Sequence, residues 1–182
     1  MVFLGDSITE NWLSDDPALF IPGRVCRGIS GQTTPQMLLR FSQDVIDLRP
    51  RFVHILAGTN DSAGNTGRAT FKMIQDNILG MTETAMANRA KLIFGSITPA
   101  TNFSWHPGID ALKPIAAVNA WLKVHAQRVR ALYVDYFAAL SDGDGVMRPG
   151  LSPDQVHPKA AGYAAMRLVA EATLHQASQI SS

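Results

Sequence analysis

The chain alternates short, largely apolar runs with longer stretches in which apolar residues recur every three or four positions. The short runs, residues 2–4, 24–27, 52–56, 91–97 and 132–135, read as five strands. Phe52-Val53-His54-Ile55-Leu56 is nearly apolar on both faces, which suits a parallel strand covered by helices on each side. His54 inside it is expected to be a core histidine. The longer stretches read as helices. A turn follows at residues 8–13, with Trp12 in the core. Thr33 is a good N-cap with Pro35 in the first turn, and Met37, Leu38, Phe41, Val45, Ile46 and Leu48 make an apolar face that ends before Pro50. Residues 68–88 carry a buried stripe of Phe71, Ile74, Ile78, Met81 and Ala85. Residues 115–129 form another helix. Residues 158–176 form the last, with Ala161, Ala164, Ala165, Leu168, Val169 and Ala172 on its packing faces, and residues 178–182 are expected to fray. Strands that alternate with helices imply a parallel sheet between helix layers in one α/β domain spanning residues 1–182.

Composition narrows the class of partner. An apolar fraction of 46% and a charged fraction of 17% over 182 residues belong to a folded domain with a sizeable core. The net charge of +1 advertises neither nucleic acid nor an anionic membrane. No apolar run approaches the ~20 residues of a membrane span. Cys26 stands alone, so an internal disulfide is excluded, and a buried structural thiol is its expected role. The chain enters its first strand within two residues of Met1. So abrupt a start points to a trimmed N-terminus and leaves the compartment open. The exposed charges give no signal about oligomeric state.

The chemistry collects where strands end. Gly5 breaks the first strand and Asp6-Ser7 follow, a corner that lifts a hydroxyl off the strand end. Gly28-Ile29-Ser30-Gly31-Gln32 follows the second strand, and Ala57-Gly58-Thr59-Asn60-Asp61 the third. In an open parallel sheet, ligands bind outside the carboxyl ends of the strands. The loop before the last helix holds Asp154-Gln155-Val156-His157-Pro158. An Asp three residues before a His can fold its carboxylate onto Nδ1–H and leave Nε2 facing out as a base. A serine hydroxyl needs such a base at neutral pH. Ser7, His157 and Asp154 are therefore candidate nucleophile, base and orienting acid. The backbone N–H groups of Ser7 and Gly31 and the side-chain amide of Asn60 are candidate donors to a developing oxyanion. Asp6 reads as a cap on the turn that supports Ser7, and Asp61 as a turn residue that fixes the Asn60 side chain.

Gly5-Asp6-Ser7, Gly31 in its glycine-punctuated loop, Gly58-Thr59-Asn60-Asp61 and Asp154-x-x-His157-Pro158 resemble, in order and spacing, the four sequence blocks of the SGNH hydrolases, the GDSL esterase/lipase superfamily. The resemblance runs from residue 2 to about residue 165. It implies a three-layer α/β/α flavodoxin-like sandwich whose five-stranded parallel sheet has the order 2-1-3-4-5. It implies Ser7 as nucleophile, Ser7, Gly31 and Asn60 as oxyanion donors, His157 as base and Asp154 as acid, with no metal and no cofactor. Two positions depart from the family's pattern. Gln155 stands where a glycine is frequent, and would be strained if the turn needs a positive φ there. Gln32 stands where an acidic residue is frequent, and has no assigned role.

The site loops are short, with no hydrophobic lid, which favours short acyl groups, acetyl above all. Trp105-His106-Pro107 lies in the loop after the fourth strand, at the same sheet edge as Ser7, and makes Trp105 and His106 candidate substrate contacts. This loop and residues 55–61 look like bacterial family members that act as esterases or carbohydrate deacetylases. The expected partner is thus a small-molecule or glycan ester. A thioesterase or lysophospholipase would use the same machinery on longer chains. A flavin or nucleotide domain would need a phosphate cradle after the first strand, where this chain has the anionic Asp6. A catalytically silent carbohydrate-binding module would have no physical need of Ser7, Asn60, Asp154 and His157 together.

Overall fold

The structure, a computed structural model, describes residues 1–101 and 103–179. Strands β1 (Val2–Gly5), β2 (Val25–Gly28), β3 (Phe52–Leu56), β4 (Lys91–Gly95) and β5 (Leu132–Val134) form one sheet, all parallel, in the order β2-β1-β3-β4-β5. This is the expected topology. Because side chains alternate across a strand, β1, β3, β4 and β5 feed two cores. Val2, Leu4, Val53, Ile55, Leu92 and Phe94 face one helix layer, while Phe3, Phe52, Leu56, Ile93 and Val134 face the other.

The first layer holds α2 (Thr34–Asp44), α4 (Phe71–Ala87) and α5 (Leu112–Arg128). The start of α2 is fixed by Thr33, whose backbone N–H donates to Gln36 Oε1 at 2.9 Å. The second layer holds α1 (Ser7–Asp15) and α7 (Ala160–Gln179). Trp12 of α1 is fully buried, stacks on Tyr163 of α7 at 5.6 Å and meets Tyr136 edge-on at 5.7 Å. The Tyr163 hydroxyl donates to the Ile8 carbonyl at 2.8 Å, so the first and last helices are joined by one side chain.

Several expectations need correction. Helix α7 packs through Gly162, Tyr163, Met166, Ala170, Thr173, Leu174 and Ala177, whereas Leu168 is 72% exposed and Ala161 and Ala172 face solvent. A run rich in alanine is apolar all round, so the large Tyr163, Met166 and Leu174 decide which side turns inward. Phe71 and Leu48 are likewise exposed. Phe71 is the first residue of its helix and meets Trp121 edge-on at 6.4 Å, and Leu48 lies in a 3-10 turn after α2 has ended at Asp44. Cys26 is only half-buried, its thiol facing the Thr9 carbonyl at 3.4 Å. Two short helices are additional: α3 (Thr59–Ser62) stands where the sequence predicts a loop, and α6 (Tyr136–Leu140) follows β5 over residues for which it predicts no element. Ser178 and Gln179 continue the last helix, and residues 180–182 of the expected frayed end lie outside the described residues. His54 is the buried core histidine expected: its Nε2 meets the Tyr136 hydroxyl at 2.8 Å, and burial holds the ring down to about 3.

Candidate functional site

The carboxyl ends of β1, β2 and β3 and the loop before α7 meet at one cleft of about 460 Å³. Ser7 opens α1 directly after β1, and the preceding Asp6 caps the helix by accepting the Ile8 N–H at 2.9 Å. Ser7 Oγ lies 3.1 Å from His157 Nε2. His157 Nδ1 lies 2.7 Å from Asp154 Oδ2. Oδ1 of Asp154 is held separately, by the backbone N–H groups of His157 at 2.8 Å and Val156 at 3.0 Å and by the Ser152 hydroxyl at 2.9 Å. Burial pushes the Asp154 carboxyl up, but these hydrogen bonds, led by that of the His157 ring, outweigh it and hold the group at about 2. The carboxylate therefore stays ionised through neutral pH, opposite Nδ1.

The turn that brings Asp154 to His157 takes φ +65° at Gln155, the positive value that would suit glycine. The side-chain Oε1 of Gln155 is also buried without a hydrogen-bond partner among the described residues. A left-handed non-glycine residue costs ~1–2 kcal/mol, and glycine returns up to ~1 kcal/mol of that through the unfolded chain. Gln155→Gly is expected to stabilise the fold by about 1 kcal/mol, read as a rise of a few degrees in Tm. An unchanged or lower Tm would show that the Gln side chain compensates for its backbone.

Gly31 adopts φ +78° with open space where a Cβ would stand. Its loop is tied down by Glu10 of α1, which accepts from the Ser30 N–H at 2.8 Å and from the Ser30 hydroxyl. Arg40 of α2 fastens the ends of β1 and β2 together. Its guanidinium, 12% exposed, donates to the carbonyls of Gly5 at 3.0 Å and Arg27 at 2.9 Å, and to the Gln32 side chain at 2.5 Å. Gln32 is thus part of the scaffold. Asn60, on α3, donates through Nδ2 to the Gln32 carbonyl at 3.0 Å. Asp61 does not hold the Asn60 side chain as expected. It accepts from the N–H and hydroxyl of Thr34, at 2.9 and 2.6 Å, and anchors α3 to the start of α2. Asn65 holds Asn60 instead, donating to its Oδ1 at 2.7 Å.

Trp105 lines the cleft, its ring 5.8 Å from that of His157. His106 does not join it. Its Nδ1 meets the Ala63 carbonyl at 2.6 Å, and the ring lines a second, more apolar cavity of about 640 Å³ with Arg68, Ile109 and Pro114. The pair sits in a turn, closed by the His106 N–H on the Phe103 carbonyl at 2.8 Å, in which Trp105 bonds to Asn65 and His106 to Ala63. Asn11, Ser30, Asn65 and Lys159 complete the cleft wall. Sequence reasoning missed Glu10, Arg40 and Asn65, because each acts on a partner distant in the chain. None of the three carries a local signal, and Arg40 reads as the solvent side of α2.

The carboxyl of Asp6 is wholly buried, and burial pushes it up to about 7 from an ordinary 3.8, against the Ile8 N–H. The folded state therefore holds this proton where the unfolded chain has lost it. Stability from this group is full below about pH 4 and declines as pH rises towards 7. Burial shifts Asp61 in the same direction. Asp6→Asn keeps the cap acceptor and is expected to flatten the fall in urea midpoint between pH 4 and 7, leaving the smaller Asp61 share. An unaltered slope would locate the titration elsewhere.

The arrangement can carry out acyl transfer: a hydroxyl next to an imidazole nitrogen, a carboxylate orienting that ring, and donors on the same cleft wall. Comparison with known proteins points the same way. The GDSL-like lipase/acylhydrolase family matches residues 3–165. The crystal structure of a GDSL-like lipase from Bacteroides thetaiotaomicron superposes with a TM-score of 0.93 at 39% identity, over 97% of this chain and 87% of that one. A structure from Bacteroides fragilis gives 0.93 at 40% identity, over 97% and 86%. An acetylxylan esterase from Geobacillus stearothermophilus shares the fold, with a TM-score of 0.78 at 19% identity over 95% and 92%. The Bacillus subtilis lipoprotein YqeF is 35% identical over 75 residues, 40% of this chain and 31% of the lipoprotein, so the match spans under a third of that relative's length.

Proposed function

Because this chain belongs to the GDSL-like lipase/acylhydrolase family, a family of carboxylic ester hydrolases, we propose that it is a serine esterase that cleaves short-chain esters, acetyl above all, from polar alcohols such as sugars. The observation that carries this reading is the unbroken line from Ser7 Oγ through His157 to Asp154, with contacts of 3.1 and 2.7 Å, on the wall of one cleft. In this reading Ser7 Oγ attacks the ester carbonyl as His157 Nε2 takes its proton. The tetrahedral oxyanion accepts from the N–H groups of Ser7 and Gly31 and from Asn60 Nδ2. The carbon–oxygen bond to the alcohol breaks, and the alcohol leaves with the proton from His157. Water, deprotonated by the same nitrogen, then releases the acid and restores Ser7. Asp154 holds the imidazolium throughout.

The small volume of the cleft, its polar wall of Asn11, Ser30 and Asn65, and the flat ring of Trp105 support a short acyl group and a polar alcohol. The second cavity, apolar and just beyond the strap of residues 63–65, favours the longer-chain reading of a thioesterase or lysophospholipase. Hydrolysis of p-nitrophenyl esters from C2 to C16 separates them. Activity is expected to peak at C2–C4 and to extend to acetylated oligosaccharides. A peak at C8 or longer would overturn the short-chain assignment in favour of the second reading.

A further inference from the structure

Asn60 and Asn65 stand in a row of polar groups whose two ends cannot be reversed. At one end is the Gln32 carbonyl, which only accepts, and Asn60 Nδ2 donates to it at 3.0 Å. At the other end is the indole N–H of Trp105, which only donates, and Asn65 Oδ1 accepts it at 2.9 Å. Between them Asn65 Nδ2 donates to Asn60 Oδ1 at 2.7 Å. Turning either amide over would set oxygen against oxygen or N–H against N–H, so both orientations are locked by the network. An amide nitrogen carries two hydrogens. Gln32 takes one from Asn60, and the other meets no acceptor among the described residues, while Asn60 lines the cleft beside Ser7 and His157.

We propose that Asn65 is the positioning residue of the oxyanion site: it fixes the amide of Asn60 so that its remaining N–H faces the cleft, and it makes that aim depend on Trp105. The inference rests on the esterase reading above. Asn65 touches no reacting atom in this scheme and acts chiefly through Asn60; the same Nδ2 also reaches the Gly31 carbonyl, at the long distance of 3.5 Å. Replacing its amide nitrogen by a carboxylate oxygen keeps the bond to Trp105 and repels Asn60 Oδ1. Asn60 then turns its N–H groups towards residue 65 and its oxygen towards the Gln32 carbonyl and the cleft, where an oxyanion would be repelled. The oxyanion exists only after attack, so the loss falls on kcat and spares KM.

The test is steady-state kinetics on p-nitrophenyl acetate for the wild type, Asn60→Ala, Asn65→Asp and the Asn60→Ala/Asn65→Asp double variant. Ser7→Ala is run alongside. Loss of one such donor costs about 10²-fold in rate, so Asn65→Asp is expected to lower kcat by about that factor with little change in KM. In the Asn60→Ala background it is expected to add little, because only the long contact with the Gly31 carbonyl is left to disturb. Trp105→Phe keeps the ring and removes the N–H. It is expected to lower kcat several-fold, again only while Asn60 is present, and it carries the test if Asn65→Asp does not fold. The proposal is overturned if Asn60→Ala is as fast as wild type, if Asn65→Asp keeps wild-type kcat, or if the losses at 60 and 65 multiply. Activity surviving in Ser7→Ala would instead remove the esterase reading itself. An inactive Ser7→Ala with an unimpaired Asn65→Asp would remove the positioning role alone.

Discussion

Ser7→Ala is expected to lower kcat for ester hydrolysis by about 10⁴-fold or more while leaving Tm unchanged. Ser7 Oγ is the hydroxyl aligned with His157 Nε2 at 3.1 Å, and its neighbour in the cleft, the Ser30 hydroxyl, is already committed to Glu10. Without Ser7 no acyl-enzyme forms, and the residual rate is what the oxyanion donors give to direct attack by water. The substitution removes one oxygen at the mouth of a cleft, so packing has little to lose. His157→Ala is expected to match it, and the double variant to be no slower than either, since nucleophile and base act as a unit. A hydrolysis assay on purified variants, with mass spectrometry of a trapped acetyl-enzyme in the wild type, checks each point. An active Ser7→Ala enzyme would refute the nucleophile assignment.

Trp12→Ala is expected to cost about 3–5 kcal/mol, the range for a large aromatic deleted from a core. At roughly 2–4 °C per kcal/mol for a domain of this size, Tm falls by on the order of 10 °C. Trp12 is fully buried between Tyr163, Tyr136 and Phe20, in the layer that joins α1 to α7. Its indole N–H has no partner among the described residues, so part of the side chain's worth is already forfeited. Trp12→Phe gives up that N–H and some volume, and is expected to cost markedly less. Denaturant unfolding of the two variants tests the account. A loss below about 1 kcal/mol in Trp12→Ala would mean that Tyr163 and Phe20 collapse into the space.

Much of this was legible from residue order because the signals were local. A glycine at a strand end, a Thr before a Pro and an Asp three residues before a His announce themselves within a few positions. The core assignments of Trp12 and His54 followed from the apolar runs around them. Other features were hidden because a distant partner sets them. Asn65 looks like any polar turn residue until Trp105 and Asn60 are brought to either side of it. Arg40 reads as the solvent side of a helix, although its partners are carbonyls at the ends of two strands. His106 was misjudged through its neighbour: Trp105 faces the cleft, and the next side chain faces away. In α7 the alanines concealed which way the helix would turn.

The two halves of the cleft come from opposite ends of the chain: Ser7 and His157 are 150 positions apart, and Tyr163 closes onto Ile8 across 155. During synthesis the hydroxyl is therefore made 150 residues before its proposed base. Until His157 has been added, the nascent chain carries Ser7 without the base proposed for it. On the proposed mechanism, chemistry is expected to switch on only when α7 has emerged and docked against α1, the same event that buries Trp12. Chains arrested before His157 are thus expected to be silent towards esters, and the onset of hydrolysis in a timed translation reaction would mark the moment α7 lands.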